Sequence, residues 1–271
     1  HYSLTVFMMQ NHTMQDKKRK CNSSAPASMA RCVALCLFMA LAMLFATNAQ
    51  AKIYLVAVGI SDYPGVANDL TLPANDAKTI AWLYSQNSHV KYSLLLNSDA
   101  TKDRIVKAMS KLYSEATAND IVVFFFSGHG YPGGFVAHDA MLDYQVIRKT
   151  MASTNCKNKM IFADACYAGK IRTNGRNSQN SMASAKKANV MLFLSSRSNE
   201  MSIERRDMKN GFFTTYLVQG LRGGADANRD RTITAKELFT YVHSGVIKLS
   251  RNMQHPVMWG KFSNDMPVIK W

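Results

Sequence analysis

Two apolar runs in this sequence stop at residues that can do chemistry. "DIVVFFFSGHG" (120–130) places His129 between two glycines just past one run, and "KMIFADACYAG" (159–169) places Cys166 just past another. An unperturbed thiol has a pKa near about 8.5, so a nearby imidazole is needed to raise thiolate or accept its proton. If the two runs are neighbouring strands about 4.8 Å apart, both side chains meet over one cleft. Gly128 and Gly130 let backbone approach a substrate, and the amides of Gly130 and Cys166 are candidates to face a developing oxyanion. Asp164 shares its side of the strand with Cys166 by period-two alternation, and its carboxylate can floor a pocket for a cationic side chain. Glu200, in "SSRSNEMSIE", is a candidate second acid for that pocket. The structural alternatives are a turn or helix cap for Asp164 and a solvated loop charge for Glu200.

A separate stretch, "DANRDRTITAKE" (226–237), has the spacing of an EF-hand calcium loop. Asp226, Asn228, Asp230, Thr232, Thr234 and Glu237 fall at positions 1, 3, 5, 7, 9 and 12. Arg231 stands where that turn wants glycine at positive φ, at a cost of about 1 kcal/mol. Two readings stay open: a calcium site, or a loop capped by its own Asp and Thr side chains. No cofactor is required by the thiol chemistry, and the seven His residues show no paired spacing for zinc.

The elements that must position these residues alternate. "IYLVAVGI" (53–60) is a continuous apolar run, the mark of a strand buried on both faces. "NDAKTIAWLYSQ" follows as a helix with Asn75 as its expected N-cap and Ala77, Ile80, Ala81 and Tyr84 on one face. Further strands are expected at 92–97, 120–127, 159–165 and 189–196, with a helix at 101–116. Helices also flank the 226–237 loop. Strands alternating with helices at this spacing predict right-handed crossovers and a mostly parallel sheet with helices on both faces. Ligands bind beyond the carboxyl ends of such strands, where His129 and Cys166 lie.

Residues 1–51 are expected to lie outside that fold. Arg31 precedes an apolar run from Cys32 to Ala46, and Ala49-Gln50-Ala51 is a small-x-small cleavage box. The run is too short to span a bilayer, and the pattern is that of a secretory signal cut after Ala51, with an uncleaved anchor as the alternative. The expectation is an exported protein, periplasmic, cell-surface or extracellular, with no stable membrane anchor. Cleavage removes Cys21, Cys32 and Cys36 and leaves Cys156 and Cys166. A disulfide between those two is the alternative to a working thiol. Beyond residue 51 there are 28 basic against 17 acidic side chains, but scattered, with no basic stripe interleaved by aromatics. Nucleic acid is therefore not an expected partner. The Asn-, Ser- and Lys-rich stretch 170–188 reads as an exposed linker.

"FFFSGHG" followed 37 residues later by "DACYAG" resembles the His-Gly and Cys motifs of caspase-like cysteine peptidases, closest to the metacaspase and bacterial caspase-like branch. The resemblance covers about residues 52–262 and includes "KIYLVAVGISDYPG", "PANDAKTI", "SSRSNEMSIE" and "QHPVMWGKF". It implies a caspase-like three-layer α/β sandwich over residues 52–271, with a mostly parallel six-stranded sheet. It also implies a catalytic dyad of Cys166 as nucleophile and His129 as general acid/base, and cleavage after Arg or Lys directed by Asp164. Protein or peptide substrates with a basic P1 residue are the expected partners. In caspase-like enzymes the linker that 170–188 resembles separates the large and small parts of the domain. A caspase-like domain that binds peptides without cleaving them, and transpeptidation through the same acyl-enzyme, are the competing readings.

Overall fold

The computed structural model describes residues 50–131, 133–165, 190–196 and 207–270. Cys166, Glu200, the 170–188 linker and the segment 1–49 lie outside the described residues.

Four long apolar runs become central strands of one sheet. β1 (Ile53–Gly59) and β3 (Ile121–Gly128) are buried at every residue, as continuous apolar sequence requires. β7 (Asn158–Ala165) and β8 (Val190–Leu194) are buried almost throughout. β2 (Val90–Leu96), half-exposed, forms one edge, and the short β10 (Val257–Trp259) forms the other. The order is β10-β8-β7-β3-β1-β2. All pairs are parallel except β10 with β8. This is the mostly parallel six-stranded α/β sheet that the resemblance implies.

Alternation along each strand splits the core into two. One face carries Val56, Val58, Phe124 and Phe126 and packs on α2 (Lys102–Tyr113) and α3 (Tyr144–Ala152). The other carries Leu55, Ala57, Phe125 and Phe162 and packs on α1 (Pro73–Ser85), α4 (Phe212–Gln219) and α5 (Ala235–Leu249). Helices on both faces complete three layers.

α1 departs from the sequence expectation at its start. Its N-cap is Leu72, which makes no side-chain cap bond, and Pro73 occupies the first turn. Proline's fixed φ opens a helix without a side-chain cap. Asn75 is not the N-cap; its Nδ2 donates instead to the Lys209 carbonyl at 2.6 Å. Sequence periodicity also passed over a small antiparallel sheet after His129: β4 (Gly130–Tyr131), β5 (Gly134–Val136) and β6 (Met141–Asp143). Strands of two or three residues are too short to display a period.

β9 (Thr232–Thr234), within the EF-hand-like stretch, pairs antiparallel with β11 (Pro267–Lys270). Arg229 and Arg231 both take positive φ, 62° and 64°, so the turn forms with arginine where glycine was expected. The loop closes on its own polar groups. Asp226 accepts the Asp230 and Arg231 N–H groups, Asn228 also accepts from Asp230 N–H, and Asp230 accepts from Thr232 N–H. Glu237 turns to the start of α5, where it forms a capping box with Thr234. No group of three or more His, Cys, Asp or Glu side chains suited to a metal occurs among the described residues. The hydrogen bonds that shape the loop come from its own side chains. Asp226→Ala should lower the melting temperature, each lost hydrogen bond costing about 1 kcal/mol. An equal drop in chelator and in millimolar calcium would favour the self-capped loop, and a larger drop in calcium a bound ion.

Candidate active site

β3 and β7 are neighbours, and their register sets the residues just before His129 side by side with those just before Cys166 in sequence. The last described pairs are Ser127 with Asp164 and Gly128 with Ala165. His129 follows Gly128, just past the end of β3, and Cys166 follows Ala165 in the sequence.

His129 is held on three sides. Its N–H donates to Tyr63 Oη at 2.9 Å, and its carbonyl accepts from Val136 N–H at 2.9 Å. Tyr63 Oη in turn donates to the Val136 carbonyl, and its ring lies 4.7 Å from the imidazole, centroid to centroid. Burial pushes the Tyr63 hydroxyl far above its ordinary range, so it stays protonated and works as a strut. Gly128, at φ 153°, must be glycine because a Cβ there would lie 2.6 Å from the Tyr63 hydroxyl. The third hold is chemical. His129 Nε2 lies 2.7 Å from the Asn68 carbonyl oxygen. A carbonyl only accepts, so Nε2 carries the proton and Nδ1 of the neutral ring carries the lone pair. Asn68 is fixed within a tied loop: its N–H donates to the Gly65 carbonyl, and Tyr63 N–H donates to Asp69 Oδ1.

Gly130 pairs with Phe135 across β4 and β5. The adjacent His129–Val136 pair is hydrogen-bonded. Alternation in an antiparallel ladder then makes Gly130–Phe135 the non-bonded pair, so the Gly130 amide points away from β5.

Behind this edge, on the face covered by α1 and α4, lie two buried carboxylates. Asp164 is 7% exposed and Asp76, on α1, is 1% exposed. Asp76 Oδ1 accepts from Asn210 Nδ2 and Gly211 N–H, and its Oδ2 accepts from Ser127 Oγ. Asp164 Oδ2 accepts from the N–H and Oγ1 of Thr214, in the first turn of α4. The helix-cap alternative for Asp164 thus describes one of its bonds. Gly211 lies between the two acids: a Cβ on it would meet Asp164 Oδ2 at 2.4 Å and Asp76 Oδ2 at 3.5 Å. Burial, and then the Asp164 charge, hold the Asp76 carboxyl well above the usual carboxylate range, against the pull of its hydrogen bonds from Asn210, Ser127 and Gly211. Two acids sharing a dry site resist double ionisation, and a cation placed on them relieves that.

Asp76 was not among the residues that the sequence singled out. Its signal is spacing: 76, 80 and 84 fall on one helical face with Ile80 and Tyr84, so a carboxylate stands in an apolar stripe. The raised Asp76 pKa has a consequence for stability. A group whose folded pKa exceeds its unfolded value of about 3.9 stabilises the fold below that value and loses the contribution as pH rises through the folded pKa. Asp76→Asn keeps an oxygen toward Asn210 and Gly211 and turns its NH2 to Ser127 Oγ, which can accept. The melting temperature of the variant should therefore gain on that of the unsubstituted protein as pH climbs from 4 to 8. A constant difference would mean that Asp76 carries no strain of ionisation.

The end of β7 is clamped by residues with no catalytic chemistry. Ala165 N–H donates to Ser195 Oγ, whose own hydroxyl donates to the Ala165 carbonyl. Gln254, fully buried, donates to the Ser195 carbonyl at 2.9 Å. This explains why "SS" and "QHP" belong to one site although they are far apart in sequence. Cys156, at the other end of β7, is a buried free thiol whose Sγ donates to the Asp120 carbonyl, and burial raises its pKa. It forms no disulfide, which removes the Cys156–Cys166 bridge.

Comparisons with known proteins bear on the family and the fold. The chain is 33% identical over 93 residues to Metacaspase-1 of Debaryomyces hansenii, a match covering 31% of this chain and 21% of that protein. Among solved structures, caspase-1 of Spodoptera frugiperda superposes with a TM-score of 0.56 at 16% identity, over 81% of this chain and 92% of that one. Its pro form superposes equally, with a TM-score of 0.56 at 15% identity over 81% and 95% of the chains. A protein of Geobacter sulfurreducens gives 0.55 at 16% identity over 78% and 94%. These structures share the fold. The caspase-domain model of the C14 peptidases matches residues 53–266, nearly all of the sheet, its helices and the His129 edge. The chain belongs to the caspase-domain family of cysteine peptidases.

Proposed function

We propose that the protein is an endopeptidase that cleaves polypeptides after Arg or Lys through an acyl-enzyme on Cys166. The observation that carries this reading is the buried pair Asp76 and Asp164 at the sheet edge beside His129. A long cationic side chain is the natural complement of two carboxylates that cannot comfortably both ionise. The Cys166 thiol attacks the carbonyl carbon of the P1 residue, and His129 Nδ1 takes the thiol proton. The C–N bond breaks as that proton passes to the leaving nitrogen. Water then repeats the sequence to free the acid. The Asn68 carbonyl bond favours this division of labour, because it keeps Nε2 protonated throughout. The Gly130 amide, turned away from β5, is a suitable donor to the oxyanion, together with the amide of Cys166. Glu200 is retained as a second acid for the pocket.

The test is hydrolysis of peptides that differ only at P1. Arg and Lys should be cleaved and Asp refused. Tight binding of the Arg peptide without hydrolysis would favour a peptide-binding domain, and preference for Asp would remove the acid pair from specificity. Export rests on the 29–51 pattern. No helix among the described residues is long and apolar enough to cross a membrane.

The same specificity applied to the protein itself predicts a cut within 170–188. That stretch offers Lys170, Arg172, Arg176, Lys186 and Lys187. β7 and β8 lie on either side of it and are paired along five residues, so the fragments should stay together. Purified active protein should yield two co-eluting fragments, with a new N-terminus after one of those five residues. The Cys166→Ala protein should remain whole. Equal nicking of both would identify a contaminating protease.

A further inference from the structure

We propose that a cavity beside His129, on the opposite face of the sheet from the acid pair, receives the residues that follow the scissile bond and favours an apolar side chain there. The inference rests on the reading of His129 as acid/base and of Asp76 with Asp164 as the P1 floor. The cavity has a volume of about 510 Å³, within the range of small ligand sites. Pro64, Val136, Ala137, Ala140 and Met141 form its apolar wall, and Asn68, His129, His138 and Asp139 its polar one. None of Asp76, Asp164, Gly211 or Thr214 reaches it.

The direction of the chain follows from the chemistry. The proton that His129 takes from the thiol must pass to the leaving nitrogen, so that nitrogen comes within hydrogen-bond reach of the imidazole. The P1 side chain occupies the α1 and α4 face, where the acids lie. The segment attached to the leaving nitrogen therefore continues away from that face. The hairpin that walls the cavity belongs to the other face: Phe135 of β5 and Leu142 of β6 are part of the core shared with α2 and α3.

The wall also fixes what fits. Val66 and Met141, 89% and 61% exposed, are the two most exposed large apolar residues among the described ones. Met141 lines the cavity; Val66 falls between Pro64 and Asn68 in sequence and is not part of the lining. Apolar groups held out at a concavity mark a surface that binds. The cavity is also wired to catalysis. Tyr63 and Asn68, which clamp the His129 backbone and ring, form part of its lining. An occupant presses on the groups that aim the imidazole, so it should act on kcat as well as KM.

The test uses quenched fluorescent peptides that share one sequence ending in P1 Arg and carry Gly, Leu, Phe or Asp at the two positions after it. Leu and Phe should exceed Gly in kcat/KM by about 10-fold or more, the discrimination that an apolar pocket gives. In Ala140→Trp, which fills the cavity from an exposed turn, the Leu-to-Gly ratio should fall to about one. Met141→Asp, which makes the wall anionic, should lower the same ratio. A P1-Arg aminocoumarin amide, which has no residues after the scissile bond, reports the dyad and P1 floor alone. Hydrolysis of that amide with equal rates for the Gly and Leu peptides overturns this inference and leaves the P1 reading standing. A Leu preference unchanged in both variants also overturns it. No hydrolysis of the amide removes the inference together with the reading on which it rests.

Discussion

Cys166→Ala should reduce hydrolysis of a P1-Arg peptide by about 10³-fold or more, with no change in melting temperature beyond a degree or two. Among the described residues of the site, the hydroxyls of Ser127, Thr214 and Ser195 are buried and hydrogen-bonded. Cys156, the thiol at the far end of β7, is buried and donates to a backbone carbonyl. His129→Ala should lose a comparable amount, and the double variant scarcely more, because residues that act as one unit are not additive. Tyr63→Phe is a finer probe. It removes the hydroxyl that accepts from His129 N–H and donates to Val136, and leaves the ring against the imidazole. It should lower kcat more than it raises KM. Steady-state kinetics on one peptide series checks all three; activity above a few per cent in Cys166→Ala would end the dyad assignment.

The second large effect belongs to the acid pair. Asp164→Ala removes a carboxylate that faces both Asp76 and the start of α4, and Asp76→Asn removes the other charge while keeping its hydrogen bonds. Truncating one partner of a desolvated charge pair costs about 2–5 kcal/mol, a loss of roughly 30-fold to several thousand-fold in kcat/KM for P1 Arg or Lys. Neutral P1 residues should suffer far less. Asp76→Asn is the cleaner of the two, because Asp164→Ala also strips two bonds from Thr214. The decisive quantity is the ratio of Arg to norleucine at P1. A ratio unchanged in both variants would mean that the pair shapes the fold without touching substrate.

What the sequence disclosed depended on how each feature was encoded. β1, β3 and β7 were legible because burial on both faces demands unbroken apolar runs, and the edge that holds His129 was legible because it stops such a run. The β4–β6 hairpin was not, since two- and three-residue strands have no period to read. Asn75 resembled an N-cap by residue type, but Pro73 opens the helix two residues earlier. Asp76 was hidden because an acid in a first turn already has a bland explanation in the helix dipole. Its burial is created by α4 and Gly211, which are far away in sequence. Tyr63, Asn68, Ser195 and Gln254 act through backbone groups, through the partners they reach or through the carbonyl they present. No local pattern of side chains announces that. Asp164 is the instructive middle case. The sequence offered a substrate acid or a helix cap, and the folded chain has it capping α4 while facing Asp76.

An activated Cys166 beside a cation-seeking pocket should react with an electrophile that carries a basic P1 group, and covalent labelling measures this. The protein is incubated with peptidyl acyloxymethyl ketones that end in Arg or Asp, and the adduct is located by mass spectrometry of the digested chain. One equivalent of the Arg reagent is expected on Cys166 and none on Cys156, with slow or absent reaction of the Asp reagent and loss of labelling in His129→Ala. Labelling of another residue, equal reaction with both reagents, or labelling that persists without His129 would contradict it.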